Sequence, residues 1–237
     1  QEFLDKNAEK RPSGTFNKIT GKKISACIPM HTFGFPCRIA QIAEICSDWN
    51  IALIEDAAES LGSYVGNRHT GTFSSMATLS FNGNKVITTG GGGMIITDDP
   101  KLAVRAKHIT TTAKLQHPYE FFHDEIGYNY RMPNINAALG CAQMELLDEF
   151  LTVKTELADK WNSFFNKRGI NFVKAIDNNF LELNFDSTVG SVNKLDKQTL
   201  DDDDQEYLHP NLSHQGEFEI ASQLSHKLSS HIFQFFT

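Results

Sequence analysis

A chain of 237 residues is long enough for one large domain, or for one domain and part of a second. A hydrophobic fraction of 40%, thinnest in the last third, supports a sizeable but uneven core, and a net charge of −7 without a basic block argues against nucleic acid as a partner. No run of about 18 apolar residues is present, and the N-terminal QEFLDKNAEKRPSG lacks the apolar centre of a signal peptide, which together point to a cytoplasmic protein with no membrane partner.

Phe3–Arg11 reads as the end of a helix, and Pro12–Gly21 as a polar turn. Lys23–Met30, KISACIPM, has the β-branched, apolar character of a buried strand, and His31–Gly34 leaves it as a loop. From Arg38 to Trp49 the apolar residues fall at helical spacing, and Ile51–Ile54 is the next strand, closed by Glu55 and Asp56. Strand, helix and strand with short connections make a βαβ unit, so an α/β fold with parallel strands is expected, with ligands at the carboxyl ends of the strands. Both His31 and Asp56 fall there. Ala57–Leu61 starts a helix or turn, and Ser63–Thr72 is polar and glycine-rich. Further on, Asp98, Asp99 and Pro100 mark a helix start.

Thr110–Arg131 has no clear period but is dense in aromatic residues, with His117 and His123 among them. A segment of that length and content packs against something, a partner subunit or a substrate. Pro133-Asn134 opens the longest helical pattern, Ile135 to about Asn166, which Gly169 is placed to end. Ile170–Ile176 reads as a strand entering a second domain, Asp201–Asp204 as a solvated acidic run, and Ile220–Leu228 as a last amphipathic helix. The terminal Phe233, Phe235 and Phe236 would be exposed unless they dock. Cys27, Cys37, Cys46 and Cys141 form no CxxC pair and read as reduced, mostly buried thiols; with no cysteine cluster near the histidines, no metal site is expected.

The stretch ATLSFNGNKVITTGGGGMIIT, Ala77–Thr97, carries the sharpest chemical signal: a lysine, Lys85, between two apolar runs and beside Gly90–Gly93. A buried amine there forms an imine with an aldehyde, whereas a solvated loop lysine does nothing; the residues alone leave both readings open. Asp56, at a strand end two elements earlier, supplies the carboxylate that keeps a pyridine nitrogen protonated in pyridoxal phosphate chemistry, or else caps the segment that follows. No GxxxxGK[ST] or GxGxxG is present, so the glycines are assigned to close backbone approach around Lys85 rather than to a phosphate cradle.

The series EDAAESLGS, GTF, SFNGNK, TTGGGGMI and GYNYRMPNINAALGCAQMELLDEF, from about Asn17 to about Val173, resembles the DegT/StrS family of sugar aminotransferases. Its fuller wording, with KITGKKISACIPMHTFGFP and HITTTAKLQHPYEFFHDEIGYNYR, looks like the legionaminic acid and bacillosamine branch. The resemblance implies the large domain of a fold-type I pyridoxal phosphate-dependent transferase over residues 1–168 and a remnant of a smaller α/β domain over 169–237. It implies transamination of a nucleotide-linked keto sugar with glutamate as donor, because relatives that instead remove a hydroxyl carry histidine in place of the lysine. Lys85 would bind the cofactor aldehyde and shuttle the proton, Asp56 would pair with the pyridine nitrogen, and Ser80 would bond the phosphate. Asn129 would reach the phosphate of a neighbouring subunit in a homodimer, and Glu59 stands where many members have glutamine near the ring hydroxyl. His31, His117, Tyr130 and Arg131 are weaker candidates for the substrate.

The family also has an N-terminal portion, with a serine/glycine/threonine phosphate site and a ring-stacking aromatic residue, that is not traceable in this sequence; the initial Gln1 suggests a longer polypeptide. The competing expectation is a truncated, non-catalytic remnant that at most dimerises.

Overall fold

The computed structural model describes residues 1–170 and 232–236. Helix α1 (Glu2–Asn7) turns directly into an antiparallel hairpin of β1 (Ala8–Arg11) and β2 (Gly14–Asn17). The second strand stands where the sequence predicts only a polar turn. Thr15 explains it: fully buried, it bonds the Trp49 carbonyl through its hydroxyl and accepts the Ile24 amide at 2.8 Å, so tertiary contacts outweigh a turn-like composition.

Lys23–Met30, expected as a buried strand, contributes only the two residues of β3 (Ala26–Cys27). It is an edge strand with β4 (Ala52–Asp56) on one side, which leaves Ile28 and Met30 exposed. Helix α2 (Ile39–Asp48) completes the expected βαβ unit by packing Ile39 and Cys46 on Ile51 and Leu53, with β3 and β4 parallel. Among the described residues the sheet continues in parallel to β7 (Met76–Ser80), then antiparallel to β8 (Gly93–Thr97) and β9 (Ile232–Phe236), after the small hairpin β5 (Tyr64–Val65) and β6 (Arg68–His69). The terminal phenylalanine segment therefore docks, as a strand on β8. The fold is α/β with a mixed sheet.

Helix α3 (Pro100–Thr110) begins where its caps predict: the Asp99 carboxylate accepts the amides of Lys101 at 2.8 Å and Leu102 at 3.4 Å, with Pro100 in the first turn. Asp99→Ala is expected to cost about 1 kcal/mol, read as a thermal midpoint lowered by a few degrees in a circular dichroism melt.

The long helical pattern resolves into two helices, α4 (Asn134–Glu145) and α5 (Leu147–Asn166), separated by Leu146 at φ −99°, ψ 5°. Cys141, Met144 and Leu147 pack together on Ala77, Leu79, Phe81, Met94 and Ile96, so the break falls within the segment pressed to the sheet. Gly169, in the left-handed region at φ +74°, follows the end of α5 as expected. The strand read over Ile170–Ile176, the acidic run Asp201–Asp204, the helix over Ile220–Leu228 and the small domain they would form lie outside the described residues, Ile170 and β9 excepted. Cys27, Cys37, Cys46 and Cys141 are not disulfide-bonded; Cys46 and Cys141 are buried and the other two half-buried. Burial pushes the Cys37 and Cys46 thiols up to about 11, which leaves them poor nucleophiles at neutral pH.

Candidate active site

Successive residues of a strand face opposite sides of its sheet. Leu53 and Glu55 of β4, like Ala77 and Leu79 of β7, are buried, while Asp56, Thr78 and Ser80 share the more open face. The parallel register sets Asp56 beside Thr78, with Ser80 one pleat nearer the carboxyl end. Here the residues read as candidates come together at the edge where α/β sheets bind ligands. One Asp56 oxygen accepts the Ala58 amide at 3.1 Å, fixing the turn after β4, and the other is open to a further partner. Ser80 accepts the Asn82 amide at 3.4 Å.

Lys85 lies in the loop that leaves β7, and its side chain is only 17% exposed. Its Nζ donates to Glu59 Oε1 at 3.2 Å, and Glu59 Oε2 accepts the Phe33 amide at 2.7 Å. These two donors, the Phe33 amide first, hold the Glu59 carboxyl below its ordinary value. The loop itself is clamped from α4, where Gln143 accepts the Thr88 amide at 2.7 Å and Asn136 donates to the Thr89 carbonyl at 2.6 Å. The glycines take a different part from the one expected. Gly90 and Gly92 adopt φ +80° and +100°, and a Cβ on Gly93 would lie 2.5 Å from the Leu79 carbonyl. The close approach is thus between β8 and β7, the two strands that the Lys85 loop joins.

His31 is not oriented to a substrate. It is fully buried, its Nδ1 accepts the Cys37 amide at 3.2 Å and its Nε2 lies 3.2 Å from Glu55 Oε1, an arrangement that requires the neutral Nε2–H tautomer. A histidine at a strand end reads the same whether its ring enters the loop or the core, so the sequence alone could not separate the two. Glu55, which sequence reasoning passed over, is the hub of this region: besides His31 its carboxylate accepts the amides of Gly71, Phe73 and Ser74 at 2.6, 2.7 and 2.8 Å and the Ser74 hydroxyl at 2.9 Å. Thr78 was also passed over, although period-two spacing from Ser80 marks it.

Asn129, Tyr130, Arg131 and His117 gather in a second cluster, on the connection between α3 and α4. Asn129 bridges to Thr111, Arg131 donates to the Thr111 carbonyl at 3.0 Å, and Tyr130 stacks on Tyr128 with ring centroids 5.3 Å apart. His117 accepts the Glu120 amide at 2.9 Å and lines, with Lys114 and Arg131, an open groove of about 550 Å³. Asn129 is exposed. The connection is tied to α3 by Arg105, which forks onto Glu125, and by His108, 2.6 Å from Asp124. In this cluster of His108, Asp124 and Glu125, the Glu125 carboxylate is engaged by Arg105.

A family model described as the DegT/DnrJ/EryC1/StrS aminotransferase family matches residues 11–202. The GDP-perosamine synthase of Escherichia coli O157:H7 is 44% identical over 149 residues, covering 63% of this chain and 40% of that protein. Among solved structures, a DegT DnrJ EryC1 StrS aminotransferase from Brucella abortus superposes with a TM-score of 0.59 at 26% identity, covering 63% of this chain and 40% of its own. The aminotransferase TlmJ from Streptoalloteichus hindustanus gives 0.58 at 30%, covering 62% and 40%. The chain spans about 40% of the length of these curated and solved relatives.

Proposed function

The chain belongs to the DegT/DnrJ/EryC1/StrS aminotransferase family, whose members depend on pyridoxal phosphate, and from that premise we propose that it transfers the amino group of glutamate to a nucleotide-linked 4-keto-6-deoxy, N-acetylamino sugar. The observation that carries the reading is Lys85: an amine 17% exposed, 3.2 Å from a carboxylate, at the carboxyl edge of a parallel pair of strands.

The residues present fit the cofactor. The open face offers a carboxylate at Asp56 with one oxygen unused by its own turn, the Thr78 and Ser80 hydroxyls beside it, and an amine at the next loop. When bound, pyridoxal phosphate supplies an aldehyde and an electron-accepting ring. Lys85 Nζ would hold the aldehyde carbon, Asp56 would keep a proton on the ring nitrogen, Glu59 would sit near the ring hydroxyl, and Ser80 would bond the phosphate. Lys85 Nζ would also be the base that carries a proton to and from the substrate carbon. Glu59, within hydrogen-bond reach, orients that nitrogen.

The branch that makes legionaminic acid and bacillosamine-type sugars for surface glycans is the assignment we favour, in the cytoplasm and in a homodimer whose partner copy contributes Asn129. Exposed Tyr119, Phe121 and Ile126, at 90%, 78% and 84%, support a subunit contact on that connection. No helix among the described residues is long and apolar enough to cross a membrane. The division into a large domain over 1–168 and a small one over 169–237 belongs to the same proposal.

Reduction with borohydride after incubation with pyridoxal phosphate is expected to leave a pyridoxyl mass tag on the Lys85 peptide, with glutamate-dependent amination of the keto sugar in the same preparation. Lys85→Ala should lose both. A wild-type chain that takes up no more tag at this peptide than Lys85→Ala does would favour the non-catalytic, dimerising reading instead.

A further inference from the structure

Loops leaving three successive parallel strands converge on one carboxylate. The turn Thr32–Gly34 follows β3, Glu59 follows β4 and Lys85 follows β7; Glu59 takes the Phe33 amide on one oxygen and the Lys85 amine on the other. Phe33 is held there at a cost. Its backbone is left-handed, φ 55° and ψ 24°, a region bulky residues avoid. The turn is secured further by Ser63, whose hydroxyl donates to the Gly34 carbonyl at 2.6 Å. Yet the Phe33 side chain is not what this anchoring packs away, since the residue is 83% exposed. Backbone strain sustained by surrounding bonds, in a residue whose amide shares the Glu59 carboxylate with Lys85 and whose large apolar ring is left in water, is the pattern of a ligand-facing residue.

We propose that Phe33 is a specificity-determining residue that receives the sugar ring of the acceptor, stacking on the C–H face of the pyranose while the sugar's keto carbon lies within reach of proton transfer from Lys85. This rests on the transaminase reading above. The sugar rather than the nucleobase is the partner because the carbon that would exchange a proton with Lys85 belongs to the sugar, and the base lies beyond a diphosphate. An aromatic face supplies contact area and a quadrupole matched to polarised C–H bonds.

The test uses the full chain loaded with pyridoxal phosphate and two unreactive probes, GDP-mannose and UDP-N-acetylglucosamine, in saturation-transfer NMR and in a binding titration. In the wild type the sugar-ring protons of at least one probe are expected to receive stronger saturation than its base protons. Phe33→Gly retains the amide that Glu59 accepts and suits a left-handed φ, so its thermal midpoint should stay level or rise, while binding of that probe weakens about fivefold and the sugar-ring saturation falls to the level of the base. Phe33→Tyr should restore both. Unchanged binding in Phe33→Gly overturns the proposal, as does lost binding that accompanies a lowered midpoint, or a wild type that binds neither probe. Failure of the transaminase reading shows separately, as a missing borohydride tag at Lys85 in the wild type.

Discussion

Glu55→Ala should destabilise the protein by about 3–5 kcal/mol, the largest effect expected of any single side-chain truncation outside the hydrophobic core. Five donors converge on this carboxylate: His31 Nε2, the amides of Gly71, Phe73 and Ser74, and the Ser74 hydroxyl, all within 3.2 Å of it and around a side chain with no exposure. Truncation removes the acceptor and strands the His31 N–H and the amides of Gly71, Phe73 and Ser74 at a largely buried site, while the Ser74 hydroxyl keeps the Met76 carbonyl, and each unmade bond costs more than it contributed when made. Glu55→Gln keeps the shape but turns an amide NH₂ toward N–H donors, so it should recover only part of the loss. Urea denaturation followed by circular dichroism measures both, and a midpoint within error of the wild type for Glu55→Ala would refute the account.

The pH dependence of the same group has a definite sign. Burial pushes the Glu55 carboxyl up, but the bonds from His31, Gly71 and Ser74 more than reverse this and leave it below its ordinary 4.5. A group with a depressed folded-state value stabilises fully above its unfolded value, and that contribution is lost as pH falls through the folded value. The gap between wild type and Glu55→Ala should therefore be constant from neutral pH down to about 5 and close in stronger acid.

Gly93→Val is the second large effect, expected at about 2–4 kcal/mol. Even a methyl group here would press to 2.5 Å from the Leu79 carbonyl, which is backbone of a neighbouring strand and cannot swing aside. Relief requires β8 to separate from β7 where Ser80 pairs with Gly93, and just beyond this pair the Phe81 amide bonds the Gly92 carbonyl at 2.9 Å. Because Phe81 in turn accepts the Thr89 amide, the displacement reaches the Lys85 loop, and the borohydride tag at Lys85 should fall along with stability. Gly91→Ala is the matched control: no atom lies within 4 Å of its Cβ position and its φ is not positive, so its effect should stay within about 0.5 kcal/mol.

What was legible in the sequence follows from range. Helices α2 and α3 carry their own signals, a 3.6-residue apolar period in one and an Asp-Pro start in the other, and local signals survive folding. The strand β2 was illegible because its reason for being a strand is Thr15 against Trp49, 34 residues away. The break at Leu146 was illegible because neither glycine nor proline marks it and the apolar stripe runs across it. β9 depends on β8, more than 130 positions earlier, a pairing that no window along the chain contains. At the site, Lys85 and Asp56 could be singled out by residue type and position. Their surroundings could not: Glu55 as hub, His31 as its buried partner, and the Phe33 backbone amide on the Glu59 carboxylate all depend on contacts between separate strand ends.

The neighbours Glu55 and Asp56 illustrate how little slack such an arrangement has. One carboxylate builds the interior and the other faces outward, and only the alternation of β4 decides which is which. Insertion or deletion of one residue within Ala52–Glu55 would exchange their destinations, thrusting Asp56 among the amides of Gly71–Ser74 and turning Glu55 out in its place. The length of this five-residue strand is thus constrained as tightly as its side chains, whereas the hairpin of Tyr64–His69, whose tip at Gly66 and Asn67 is exposed, has room to grow or shrink.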